Sequence, residues 1–182
     1  MPDGLRFRTF PGMRVTDPIL DPWAIPRPEP EARAGRFSSD DAMLLAIGLH
    51  RRAFDRYGSP LLPHVARVAT SVPFDARSVA WLHEALETSS LTADDLADAG
   101  VGAGELAAIE LLTRDKSGDE ADYLAHVALI AYAPGASGSL ARLVKRADLI
   151  DRMTHMVTGS GIPAPPPHRR ALALLSDLCR GS

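Results

Sequence analysis

Cysteine is nearly missing from this chain. Cys179 is the only one in 182 residues, so no internal disulfide framework can hold the fold. That fits a reducing cytoplasm, which is the expected location. An excess of either charge is missing too: the formal net charge is −3 and the pI about 6.0. This excludes the basic footprint of a nucleic-acid binder or of a protein held on an anionic membrane. No apolar run approaches the roughly 20 residues that span a bilayer, and the N-terminus lacks the continuous apolar core of a signal peptide. There is no strand-type alternation and no internal repeat. Composition leaves the oligomeric state open.

Proline, by contrast, is concentrated at one end. Residues 1–37 hold Pro2, Pro11, Pro18, Pro22, Pro26, Pro28 and Pro30 without apolar periodicity. Proline removes backbone donors and locks φ, so this extension is expected to be extended or disordered. Its few apolar residues, Phe7, Phe10, Ile19, Leu20 and Trp23, can strap it to the domain formed by residues 38–182.

With 46 % hydrophobic residues, that domain can bury a substantial core. Ser38 or Ser39 caps a first helix, with Asp40 and Asp41 in its first turn and Ala42, Leu45, Ala46, Leu49 and Ala53 along one face. Gly58 and Pro60 break it. Further helices are predicted over 62–71 and 75–87. Thr92 with Asp95 forms a capping-box-like start to a short helix ending near Gly100. The pattern continues over 103–113, 118–131, 139–157 and 167–179, with a linker over 159–167. The fold class is all-α, a bundle of unequal helices.

Three of these helices carry metal-ligand chemistry. The doublet His83-Glu84, together with His64 and Asp148, offers two imidazoles and two carboxylates, a set suited to Mn²⁺, Fe²⁺, Zn²⁺ or a related divalent ion. Such an ion supplies hydroxide near neutral pH and offsets phosphoryl charge. Glu87 follows His83 by one helical turn, on the same face, where a carboxylate can orient water or protonate a leaving group. A lone histidine on an apolar helix is more often a packed core residue. That reading is kept for His50, His126, His155 and His168. Asp151 and Asp119 read as solvated helix carboxylates, Asp115 as a cap, and Leu106, Ile109 and Leu112 as core.

The order of these residues resembles the HD-domain phosphohydrolases, and within them the RelA/SpoT-type guanosine tetraphosphate hydrolases and their short stand-alone relatives. The Gly-x-Pro-Tyr-x-x-His segment of that group reads Gly58-Ser59-Pro60-Leu61-Leu62-Pro63-His64 here, preceded by His50-Arg51. Its Leu-Leu-His-Asp-x-x-Glu-Asp-Thr element reads Trp81-Leu82-His83-Glu84-Ala85-Leu86-Glu87-Thr88-Ser89. Leu112-Thr113-Arg114, a tyrosine-bearing helix at Tyr123, and Val144-Lys145-Arg146-Ala147-Asp148-Leu149-Ile150-Asp151-Arg152 follow in order. The match covers about residues 40–155 and includes no synthetase domain. It implies an HD-domain-like bundle with His64, His83, Glu84 and Asp148 as metal ligands and Glu87 as the water-activating group. Mn²⁺ is the family's usual metal and therefore the expected cofactor. A nucleotide is the expected substrate, and removal of pyrophosphate from a guanosine 3′ position the reaction. Arg51 and Arg56 stand where the family places basic residues near the nucleotide, with solvated surface arginines as the competing reading, and Lys145, three residues before Asp148, can face the same cleft.

Three positions depart from the pattern. Glu84 replaces the defining aspartate and is one methylene longer. Thr88 replaces the second acid, so one acid/base function is missing. Arg152 replaces an asparagine one turn after Asp148. Its guanidinium can hold Asp148 in competition with a metal, or grip a phosphate in bidentate fashion. The alternative to an enzyme is thus an HD-type nucleotide-binding or regulatory module whose chemistry has decayed.

Overall fold

A computed structural model describes residues 37–55, 58–114, 119–160 and 166–177. The proline-rich extension up to residue 36, Arg56, Asp115 and Cys179 lie outside the described residues. Among the described residues there is no strand, only an isolated bridge between Phe54 and Pro60. The helices are α1 (Ser39–His50), α2 (Leu61–Ser71), α3 (Arg77–Leu82, preceded by a 3-10 turn, Phe74–Ala76), α4 (Ala85–Thr88), α5 (Ala93–Asp98), α6 (Ala103–Leu112), α7 (Glu120–Tyr132), α8 (Gly135–Ser160) and α9 (Pro166–Asp177). The protein is an all-α helical bundle. None of the described helices is long and apolar enough to cross a membrane.

Local chemistry sets the helix starts. Ser38 accepts the Asp41 backbone N–H through its hydroxyl while the Asp41 carboxylate takes the Ser38 N–H at 2.9 Å, a complete capping box. Thr92 and Asp95 repeat it at α5, and Asp119 with Asp122 at α7. Asp119 is thus an exposed cap. α1 ends at His50, so Ala53, expected on its apolar face, lies instead in the connection to α2, where Gly58 has a φ of +80° that suits a residue without Cβ. There Ser59 N–H donates to the Asp55 side chain at 2.8 Å. Pro134 ends α7 and leads directly into α8, which begins one turn earlier than the apolar pattern predicts.

The segment expected to be one helix over 75–87 is interrupted. His83 and Glu84 form a turn between α3 and α4. The cause is local. The His83 ring Nδ1 takes the Ala80 carbonyl at 2.7 Å, an oxygen that an unbroken helix offers to the Glu84 N–H. Hydrogen bonding of the ladder kind resumes one turn later, with Thr88 N–H donating to the Glu84 carbonyl at 3.1 Å.

Packing then fixes which helices meet. α1 and α2 lie against α3, α2 and α6 against α8, and α7 against α9. Leu82, Ile109, Ile130, Val144 and Leu149 are fully buried in the shared core. Leu106 is half-buried against it, beside buried Ile109 and Leu112, as the apolar stripe predicts. Val144 and Leu149 flank Asp148 on α8, so burial of their side chains sets that helix's rotation and turns the carboxylate inward. Ile109→Ala, on α6 and away from the buried charges, is expected to lower unfolding free energy by about 2–5 kcal/mol, read from urea denaturation.

Candidate metal centre

His64 on α2, His83 and Glu84 in the turn after α3, and Asp148 on α8 come together as the sequence pattern predicts. One ligand atom from each lies within 4.8 Å of the others, and all four residues are buried. The two imidazole rings sit edge to face, 5.4 Å between centroids. These residues form a set able to hold a divalent metal.

The histidines are oriented for that task. His83 donates from Nδ1 to the Ala80 carbonyl, which leaves the Nε2 lone pair facing the cluster. Burial pushes the His83 pKa down, so the ring is held neutral. His64 is held through Nδ1 by Asp151, 2.7 Å away, and its Nε2 lies 3.2 Å from Asp148 Oδ1. Burial works against charge on His64, but its contacts with Asp148 and Asp151 prevail and raise its pKa. The His83 Nε2 is buried and lacks a hydrogen-bond partner, and the His64 Nε2 has only Asp148 Oδ1 beside it. An orphaned imidazole lone pair and a second imidazole set against two carboxylates are what a cation would satisfy, so the residues present fit a bound metal.

Asp151 corrects the sequence reading. It is buried, not solvated. It accepts from His64 and, bidentately, from Arg67 on α2, with Nε at 2.6 Å and Nη2 at 2.9 Å. A carboxylate three residues after a ligand on the same helix was the available signal. Its meaning depended on α2 docking opposite.

Asp148 has further partners. Lys145 donates to its Oδ2 at 2.8 Å, and Arg152 Nε to its Oδ1 at 2.6 Å. Arg152 also donates from Nη2 to Glu84 Oε1. Burial raises both carboxyls. The Arg152 guanidinium reverses this, holding Asp148 well below the ordinary range and Glu84 lowered as well.

A cavity of about 370 Å³ opens beside the cluster, lined among others by Glu87, Arg114, Tyr123, His126, Lys145 and Arg152. Glu87 reaches it from α4, beyond the turn rather than along one continuous helix with His83. Its Oε1 accepts the Arg114 backbone N–H at 2.7 Å. Thr88 also lines the cavity, but its hydroxyl donates to the Glu84 carbonyl at 2.6 Å and so braces the turn. Arg51 is an exposed residue at the end of α1 and is not among the cavity-lining residues. Arg56 lies outside the described residues. Arg114 and Tyr123, matched only as motif residues in the sequence, and His126, read there as core, are part of the wall. Buried His50 has both ring nitrogens without a hydrogen-bond partner, and burial lowers its pKa.

No protein-family model matches the chain, and a search of the curated proteins returns no significant match.

Asp151 supplies a test of this architecture. Burial raises its carboxyl, but hydrogen bonds from His64 and Arg67 bring it down to about 2 from 3.8. A group depressed in the folded state stabilises fully above its unfolded value and loses that contribution as pH falls through the folded one. Acid unfolding, followed by circular dichroism, should therefore steepen between these two values in the wild type and flatten in Asp151→Asn. The same variant should weaken divalent-metal binding by about 10–100-fold, because His64 loses its ionic tether.

Proposed function

We propose that the protein is a metal-dependent phosphohydrolase of the HD-domain type that acts on a phosphorylated nucleotide. Guanosine 3′,5′-bis(diphosphate) is the first candidate substrate and Mn²⁺ the first candidate metal. The observation that carries this reading is the convergence of four buried ligand groups, with both imidazoles tethered through Nδ1 so that Nε2 faces the centre. A bound divalent ion supplies water of lowered pKa and screens phosphoryl charge.

The chain's own residues divide the remaining work. His64, His83, Glu84 and Asp148 hold the ion. Glu87, on the cavity wall, orients the attacking water or transfers its proton. Lys145 and Arg114 line the same cavity with positive charge suited to phosphate oxygens. Lys145 lies within 5.8 Å of the Tyr123 ring centroid and Arg114 within 5.4 Å, so one aromatic platform positions both cations.

A second reading has its own support. Arg152 bridges Glu84 and Asp148, which favours a nucleotide-binding module without turnover. The two readings separate in one experiment. Full-length protein is given Mn²⁺ and a panel of phosphorylated nucleotides, including guanosine 3′,5′-bis(diphosphate). Release of phosphate or pyrophosphate is expected, and His83→Ala should return it to background. Nucleotide binding by calorimetry with no turnover under Mn²⁺, Fe²⁺ or Zn²⁺ selects the second reading. Turnover that survives His83→Ala overturns the first.

A further inference from the structure

The carboxylate oxygens nearest the two imidazoles already carry a cation. His64 Nε2 lies 3.2 Å from Asp148 Oδ1, and His83 Nε2 lies 3.8 Å from Glu84 Oε1. Those same two oxygens accept from Arg152, Oδ1 from Nε and Oε1 from Nη2. The guanidinium therefore sits on the oxygens that any ion shared with the imidazoles would take. It is an incomplete substitute for such an ion. Guanidinium nitrogens only donate, so Arg152 satisfies the carboxylates and leaves the His83 Nε2 lone pair unpartnered. A divalent ion accepts all four ligands at once.

We infer that the Arg152 guanidinium and a divalent ion are alternative occupants of one cation position, so that Arg152 withdraws from Glu84 and Asp148 before the ion binds. The inference rests on the metal-centre reading above and adds to it the residue that controls access. Charge explains the exclusion. Lys145 holds the other Asp148 oxygen, so with Arg152 engaged the two carboxylates are already matched by two cations. A divalent ion placed beside them would leave positive charge buried without compensation. Arg152 also has a route out. Its side chain is 20 % exposed, against 2 % for Asp148 and 8 % for Glu84, and it lines the cavity. Withdrawn, it stays on that wall, where its fork-shaped donor set suits a phosphate.

The test is calorimetric titration of chelator-stripped, full-length protein with Mn²⁺ alone, comparing wild type, Arg152→Asn and Arg152→Gln. Both substitutions remove the competing cation. Arg152→Gln keeps more of the side chain's length, and it carries the test should Arg152→Asn fail to fold. Both variants are expected to bind Mn²⁺ about tenfold more tightly than wild type or better, the change that follows from freeing even one charge-assisted contact. Thermal unfolding gives an independent reading. Arg152→Asn should melt earlier than wild type in chelator and recover with Mn²⁺, because its two carboxylates then depend on the ion. Equal Mn²⁺ affinity in all three proteins overturns the inference and leaves the metal centre standing. Absence of Mn²⁺ binding in all three overturns both.

Discussion

Two carboxylates buried side by side cannot both stay ionised unless cations are buried with them, and the interior of this protein is arranged around that constraint. Glu84 and Asp148 meet it through Lys145 and Arg152, both from α8. Such a cluster holds only when every partner is present, since removing one leaves a charge stranded away from water. The turn carrying His83 and Glu84 must therefore dock on α8, and α2 must bring His64 between them. The apolar contacts of Val144, Leu149 and Leu82 do the holding. The charges decide which face is held.

What the sequence disclosed follows from how local each feature is. The boxes Ser38–Asp41 and Thr92–Asp95 were legible because both partners lie within one turn and need nothing else. The bundle was legible because spacings of three and four set a buried face whatever lies opposite. His64, His83, Glu84 and Asp148 were legible only as an ordered set. No one of them is unusual alone, and their meeting depends on three helices packing correctly.

The misses are tertiary or involve a side chain competing with the backbone. Apolar periodicity runs unbroken through His83, but periodicity does not register that an imidazole can take a carbonyl from its own helix. Asp151 looked like any carboxylate on a helix until α2 supplied His64 and Arg67. For Arg152 the spacing gave the contact with Asp148 but not the second arm to Glu84, which comes from sixty-eight residues away. Glu84 is one methylene longer than an aspartate, which gives its carboxylate the reach to meet a guanidinium on another helix.

The pair formed by Arg67 and Asp151 gives the centre an opening to its surroundings. Arg67 is 39 % exposed, yet it grips a carboxylate that is buried and that in turn holds His64. Its positive charge is one of the forces that keep Asp151 ionised. Charges sealed inside a protein are nearly indifferent to ionic strength, whereas those that reach solvent are screened by it. Dissolved salt thus acts on the outer end of this chain of contacts, and through it on the basicity of a largely buried imidazole.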